Sequence, residues 1–364
     1  MIVFFLPDLR AGGAERVMLN VLLKYHLAFP EESVVLLLGK KEGPLLAEIP
    51  STIPIYSLEA SNATRSIRPL IRFCKKHHPK VVFSTLGSAL AASIAKNFVS
   101  SKIIFINRIG NTIGAEKMLI DNRIKRALYL LANKIIAKNS DHILFQCKYM
   151  VEDFIFETGM QPKKYNYIYN PVQIDRIEKL IFEEVKETYT FISVGRLNPQ
   201  KDYETLLKSC VILKERNIKF KLGIIGEGPL KKDLQEKIKV LNLEDCVHLI
   251  GFLPNPYPYM KEAKYLVSSS LYEGFSNVII ESLCLGTPVI ATNCPGGNAE
   301  VLVEGKNGFL CNVNDAEDLA SIMEKGINES DKFDNKNIAN DAKVLFNMET
   351  IFKQYVKVLK NNIE

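Results

Sequence analysis

The sequence predicts an α/β protein of two facing, doubly wound domains with a cleft between them, on three observations. Short apolar runs alternate with segments of helical spacing along the whole chain. The alternation pauses once, around Asn170 and Pro171, and then resumes. The 364 residues, 47% of them hydrophobic, hold enough apolar material for two cores, which excludes a disordered chain.

The first half opens with IVFFL and continues with SVVLLL, KVVFS, KIIFI and HILFQ, each short enough for a buried strand. Between them, helical spacing runs over Ala14 to Leu27, Ile67 to His77, Ala89 to Phe98 and Ile124 to Ala137. Strand followed by helix, repeated, implies a parallel sheet covered by helices. The second half reads TFISVG, a helix near Tyr203 to Arg216, FKLGII, a helix near Leu230 to Leu241, VHLIG, AKYLVSS, a helix from Asn277, TPVIAT, and a closing helix around Met348 to Leu359. The expected division is residues 1–170 and residues 171–346, with a final helix at about 347–361 packing back on the first domain. In such folds the ligand lies outside the carboxyl ends of the strands.

Charge is uneven. The net charge is +6, yet residues 1–170 hold 23 Lys and Arg against 13 Asp and Glu, and the remainder 24 against 28. Basic residues cluster at Arg65, Arg68, Arg72, Lys75, Lys76 and Lys80, and again at Arg123, Lys125, Arg126, Lys134 and Lys138. They read either as solvated helix faces or as a surface for an anionic partner such as lipid headgroups or diphosphate. Nucleic acid is not expected, because no aromatic residues interleave with these clusters. The seven Cys are scattered without CxxC or zinc spacing and read as reduced, mostly buried thiols of a cytosolic protein. The opening apolar run ends at Pro7 and reads as a strand, not a leader. No apolar stretch approaches the roughly 18 residues of a membrane span, so any membrane contact is expected to be peripheral.

Three segments carry candidate chemistry. LRAGGAE, Leu9 to Glu15, follows the first strand, and Gly12 with Gly13 reads either as an ordinary tight turn or as a place where backbone NH groups meet an anion at a helix start. It is not G-x-G-x-x-G, which argues against a dinucleotide enzyme. SVGRLNPQKD, Ser193 to Asp202, puts Arg196 and Lys201 on one loop, suited to adjacent phosphates or simply solvated. YEGFSNVIIESLCLG, Tyr272 to Gly286, places Glu273 at the end of a strand and Glu281 on the next helix. The NH groups of Gly274, Phe275 and Ser276, with a helix starting near Asn277, can face a ligand. Glu281 sits in an apolar stretch, where a ribose diol or neighbouring backbone would supply the hydrogen bonds that a covered carboxylate needs.

Together with GEGPL and GFLPNPYPYMKEAKYLVSSSLYEG, these segments resemble glycosyltransferase family 4, the retaining nucleotide-sugar transferases with two facing Rossmann-like domains known as the GT-B fold. The likeness covers nearly the whole chain and is greatest to bacterial enzymes of surface-polysaccharide and lipid-linked-oligosaccharide assembly. The resemblance implies that Gly13 lies against the donor diphosphate, that Arg196 and Lys201 bind it, and that Glu273 touches donor-sugar hydroxyls with help from the NH groups of Gly274 to Asn277. It further implies that Glu281 holds the ribose, and that Gly226 and Phe252 line the nucleotide region. Many members carry a His after the fifth strand, where this chain has FINRIGN; Arg108 is the candidate there for contact with sugar or acceptor.

No Asp-x-Asp occurs, so cations of the protein are expected to replace a metal, and no cofactor is expected. The expected partners are a nucleotide-sugar donor, UDP favoured over GDP and ADP, a glycan acceptor carried on polyprenyl diphosphate, and an anionic membrane surface met by the basic first domain. An epimerase or hydrolase on the same fold, a non-catalytic nucleotide-binding subunit and an NAD-dependent dehydrogenase are the alternatives.

Overall fold

The structure is a computed structural model and describes residues 1–10, 12–185 and 187–361. The chain divides into two compact units, Met1–Pro171 with the segment from Ile351 onward, and Val172–Thr350.

The first unit is built on β1 (Ile2–Leu6), β2 (Val34–Leu38), β3 (Ile55–Ser57), β4 (Val81–Thr85), β5 (Ile104–Arg108), β6 (His142–Phe145) and β7 (Tyr165–Tyr167), in the order β3-β2-β1-β4-β5-β6-β7. All pairings are parallel, with Phe4 opposite Leu36 on one side and Phe83 on the other. β1, β2 and β4 are buried along their whole length, which is why β1 and β2 are unbroken apolar runs and β4 opens on one before Ser84 and Thr85, whose hydroxyls bond to Asn107 and to the Arg108 carbonyl. The edge strands β3 and β7 escape the sequence reading for the complementary reason. Each is three residues long, IYS and YNY, and exposed or half-buried throughout. The helices Ile113–Met118 and Lys148–Thr158 are further elements that the reading above lacks.

The final helix, Met348–Lys360, completes this unit with its residues from Ile351 onward. Ile351, Phe352, Tyr355, Val358 and Leu359 are buried, with the Phe352 ring 6.3 Å from Tyr25 and the Tyr355 ring 6.1 Å from Phe83. Lys360 pairs with Glu32 at 3.0 Å and lies over the Phe29 ring.

The second unit holds six parallel strands, β8 (Phe191–Val194), β9 (Leu222–Ile225), β10 (Val247–Gly251), β11 (Tyr265–Ser268), β12 (Val289–Thr292) and β13 (Gly308–Cys311), in the order β10-β9-β8-β11-β12-β13. Its core gathers Phe191, Leu206, Leu213, Leu222, Tyr265 and Met323 between sheet and helices. Helices Ala316–Glu329 and Asn335–Phe346, also absent from the reading above, follow the edge strand β13.

Both sheets reverse direction of growth once, between β1 and β4 in the first unit and between β8 and β11 in the second. Loops leaving those strands diverge at a switch point and leave a crevice. Gly12 and Gly13 follow β1; Arg196 and Lys201 follow β8; Glu273 follows β11. The topology alone therefore brings the last three to one end of one sheet.

Candidate functional site

In the second unit the loop after β8 is locked against its neighbours by close backbone crossings. Gly226, at φ +153°, packs so tightly on the Gly195 carbonyl that a side chain there would lie 1.8 Å from that oxygen. Leu197 NH donates to the Glu227 carbonyl at 2.9 Å, and Leu230 NH donates to the Leu197 carbonyl at 3.0 Å. Gly226 is thus buried and serves the shape of the loop.

The loop after β11 is tied to the same place. Leu271 NH donates to the Gln200 carbonyl at 2.8 Å, Gln200 Nε2 to the Tyr272 carbonyl at 2.9 Å, and Ser269 Oγ to the Lys201 carbonyl at 2.8 Å. These straps set Lys201 Nζ 2.5 Å from Glu273 Oε1, which also accepts from Ser270 Oγ at 2.8 Å. Glu273 is buried, and its Oε2 meets no protein donor among the described residues. A carboxylate so covered is costly unless paired, so Lys201 compensates its charge while one oxygen stays open as an acceptor. The charge is felt nearby: burial, then Glu273, pushes the Cys294 thiol up to about 12, and burial followed by Glu273 raises the Tyr203 phenol. Arg196 is exposed on the same loop, and no carboxylate among the described residues pairs with it.

Gly296 closes the far side. At φ +140° it lies under the Glu273 carbonyl, where a side chain would come within 2.4 Å, and Gly297 NH donates to the Gly274 carbonyl at 3.0 Å. The helix Asn277–Cys284 begins there with Ser276 as its cap residue in extended conformation. Phe275 turns its ring into the unit, 5.9 Å from that of Phe346, so only its backbone can serve a ligand. Glu281 is half-buried on the same helix, and Phe252 is 67% exposed beyond β10.

In the first unit Gly12 is buried and Gly13 opens the helix Gly13–Ala28, with Arg16 NH donating to the Gly12 carbonyl at 3.0 Å. Arg108, the candidate for contact with sugar or acceptor, lies at the end of β5. It is 1% exposed, its Nε donates to Tyr355 Oη at 3.2 Å, and its Nη2 donates to Asn170 Oδ1 at 2.6 Å. Two nitrogens of the guanidinium at the end of β5 are thus held by the closing helix and by Asn170, while its buried Nη1 has no hydrogen-bond partner among the described residues.

Sequence reasoning missed Gln200 and Ser269, which strap the loops through backbone carbonyls, Ser270, whose hydroxyl donates to Glu273, and Gly296, which lies under the Glu273 carbonyl. Only Gly296 left a signal, in the paired glycines after Pro295. Among the described residues a cavity of about 800 Å³ lies elsewhere in the second unit, lined by Ile177, Phe182, Leu285 and Lys343, and holds none of the candidate residues. Among the described residues no helix is long and apolar enough to cross a membrane, and no three His, Cys, Asp or Glu side chains gather as metal ligands would.

Residues 176–344 match the family described as Glycosyl transferases group 1. A Campylobacter jejuni protein, N-acetylgalactosamine-N,N'-diacetylbacillosaminyl-diphospho-undecaprenol 4-alpha-N-acetylgalactosaminyltransferase, is 31% identical over 358 residues, 93% of each chain. Among solved structures, Anabaena HepE in complex with UDP superposes with a TM-score of 0.80 at 19% identity, covering 99% of both chains. Sucrose-phosphate synthase from Thermosynechococcus elongatus does so with a TM-score of 0.80 at 17% identity, covering 99% of this chain and 98% of the other. With two parallel-sheet Rossmann-like units, a family match over the second and a relative aligned across nearly the full length, the chain belongs to the group 1 glycosyl transferases and is a glycosyltransferase of the GT-B fold.

Proposed function

We propose that this glycosyltransferase moves a hexose or N-acetylhexosamine from a UDP-sugar to a glycan carried on polyprenyl diphosphate, with retention at the anomeric carbon and without a metal ion, in surface polysaccharide or glycoprotein glycan assembly. The observation that carries the reading is the Lys201–Glu273 pair, 2.5 Å apart at the switch point, with exposed Arg196 on the same loop. The relative's name supplies the acceptor class, since that protein acts on a diphospho-undecaprenol-linked sugar. The UDP complex of a structural neighbour supports the choice of base.

In this reaction the bond between the anomeric carbon and the β-phosphate oxygen breaks, and a bond to the acceptor hydroxyl forms on the same face. The hydroxyl proton passes to the leaving phosphate. Negative charge grows on the diphosphate as it departs, and Arg196 and Lys201 stabilise it most at that moment, which is what accelerates a reaction. Glu273 Oε2 accepts from donor-sugar hydroxyls, aided by the NH groups of Gly274 to Asn277. Glu281 holds the ribose, and Gly226 and Phe252 border the nucleotide. In the first unit Gly13, at the start of its helix, offers its NH group to phosphate, the Gly12 NH being taken by the Arg10 carbonyl at 2.7 Å. At its working place the enzyme lies peripherally on an anionic membrane.

The test is product analysis with EDTA present: UDP-GalNAc, UDP-Gal, UDP-Glc and UDP-GlcNAc are each offered with a polyprenyl-diphosphate disaccharide. One α-linked product is expected. A β-linked product, free sugar alone, or turnover only after metal is restored contradicts the reading.

A further inference from the structure

To accept from a donor-sugar hydroxyl, Glu273 must hold one oxygen at a fixed place, yet nothing within a glutamate does this, because its last torsion is broad. Two donors on the other oxygen supply the constraint. Lys201 Nζ lies 2.5 Å and Ser270 Oγ 2.8 Å from Oε1, reaching it from the loops after β8 and β11. The two donors differ in kind. Lys201 stands on a flexible four-carbon stem and carries the charge that a departing diphosphate draws on. Ser270 is 0% exposed, and a single torsion places its hydroxyl oxygen.

Behind Ser270 runs a chain of buried polar side chains. Thr292, the last residue of β12, is fully buried and donates from Oγ1 to the Ser270 carbonyl at 2.5 Å. Asn298 is buried too; its Nδ2 donates to the Thr292 carbonyl at 3.0 Å and to Cys294 Sγ at 3.4 Å, and its Oδ1 has no partner among the described residues. The side chain is thus held by its amide hydrogens. On the other flank, Ser268 Oγ lies 3.3 Å from Ser270 Oγ. The one hydrogen of the Ser270 hydroxyl is engaged by a carboxylate, which can only accept, so Ser268 is the donor of that contact and the bonds run from Ser268 to Ser270 to Glu273. Apolar residues would fill the ends of these two strands without needing partners, as Val267 and Ile290 do within them. Hydrogen-bonded groups so placed add little net stability but favour one arrangement, since others leave a bond unmade.

We infer that Ser270, with Thr292 behind it, is a positioning residue that sets which donor sugar the enzyme accepts. The Thr292 hydroxyl fixes the Ser270 backbone, and the Ser270 hydroxyl fixes the plane of the Glu273 carboxylate. Oε2 is then left at one place, where a sugar hydroxyl of one orientation meets it and that of the epimer does not. Neither Ser270 nor Thr292 touches the sugar. When Lys201 turns its charge to the diphosphate, the bond from Ser270 is the one that still holds Glu273. The inference rests on the reading that Glu273 accepts from the donor sugar, and goes beyond it by naming what governs the choice between epimers.

The experiment measures kcat/KM, with the polyprenyl-diphosphate disaccharide as acceptor, for UDP-GalNAc against UDP-GlcNAc and for UDP-Gal against UDP-Glc. Each pair differs only in the orientation of one hydroxyl, and the affinity for UDP alone is measured beside it. The wild type is expected to favour one member of a pair. Ser270→Ala and Thr292→Val should each cut that preference by about tenfold or more, through loss on the favoured donor, while UDP binds as before. Thr292→Val keeps the volume and loses the hydroxyl, whereas Thr292→Ser keeps the hydroxyl and loses a methyl group. Thr292→Ser is therefore expected to retain the preference. A preference lost in Thr292→Ser and kept in Thr292→Val would mark a packing role and overturn the inference. An unchanged preference in Ser270→Ala, or a wild type that uses both members of each pair equally, would also overturn it. Glu273→Ala separates the two levels: it should weaken binding of the UDP-sugar relative to UDP. If it does not, the sugar contact of Glu273 falls and this inference with it; if it does while Ser270→Ala keeps the wild-type preference, this inference alone falls.

Discussion

The two units use their charge in opposite ways. The second unit carries 21 basic and 27 acidic residues, and many of its cations are tied into the structure: Arg216 to Glu317 and Glu324, Lys237 to Glu204 and Asp233, Lys214 to Asp245, and Lys201 to Glu273. The first unit carries 26 basic against 14 acidic residues, and two of its helices present rows of cations with no carboxylate partner among the described residues. Charge in the second unit holds loops in register so that a few groups meet a small ligand. Charge in the first unit is left facing outward, where a large anionic surface can meet it.

The sharpest way to break this contrast is at the paired lysine. Lys201→Ala and Arg196→Ala are each expected to lower turnover at saturating donor by about 10²–10³, the usual cost of losing one group that stabilises transition-state charge. Lys201→Ala also strands a buried carboxylate, so it should lose stability, whereas Lys201→Ala with Glu273→Gln should recover stability and not turnover. Denaturant unfolding beside steady-state rates checks both; unchanged rates would end the assignment.

Gly226→Ala comes next. Its added carbon would meet the Gly195 carbonyl at a φ that side chains rarely adopt, so a loss of about 2–4 kcal/mol and a weakened UDP site are expected. In the first unit, Tyr355→Phe removes the hydroxyl that accepts from the buried Arg108 and should cost about 1–2 kcal/mol in urea unfolding, leaving UDP binding in the second unit untouched.

The smallest effect belongs to an exposed carboxylate between two lysines. Hydrogen bonds from Lys208 and then Lys237 hold the Glu204 carboxyl down at about 2. The stability it adds is present above its ordinary value of 4.5 and is lost as pH falls toward 2. Glu204→Gln should therefore cost at most a few tenths of a kcal/mol at pH 7. Melting curves at falling pH should show that difference shrinking to nothing; a difference that grows would reverse the sign.

What was legible in the sequence is what is buried by repetition. The apolar runs in IVFFL, SVVLLL and KVVFS are readable because strands covered on both faces are mostly apolar. Edge strands of three residues such as Tyr165–Tyr167 carry no such constraint. At the site, Arg196, Lys201, Glu273 and Glu281 could be named from residue type and spacing. The straps through Gln200 and Ser269 could not, since backbone carbonyls leave no mark in sequence, and nothing in the run of three Ser marked Ser270 as the one that bonds to Glu273. The surroundings of Arg108 could not be read either: it is buried at a strand end, held by Tyr355 and Asn170, with Nη1 left without a hydrogen-bond partner among the described residues. Ile124, Leu128 and Leu131 have the spacing of a core face, and only the structure shows that face turned outward.

The central claim is that Arg196 and Lys201 of the second unit hold a nucleoside diphosphate without a metal. The measurement that tests it most directly is the melting temperature with EDTA present, comparing UDP, GDP, ADP and NAD on the wild type and on Arg196→Ala. A ligand at about 100 times its dissociation constant adds roughly 2.7 kcal/mol. The account predicts that UDP alone stabilises the wild type and that the shift is lost in Arg196→Ala. Stabilisation by NAD, a UDP effect that EDTA abolishes, or an equal UDP shift in the variant would contradict it.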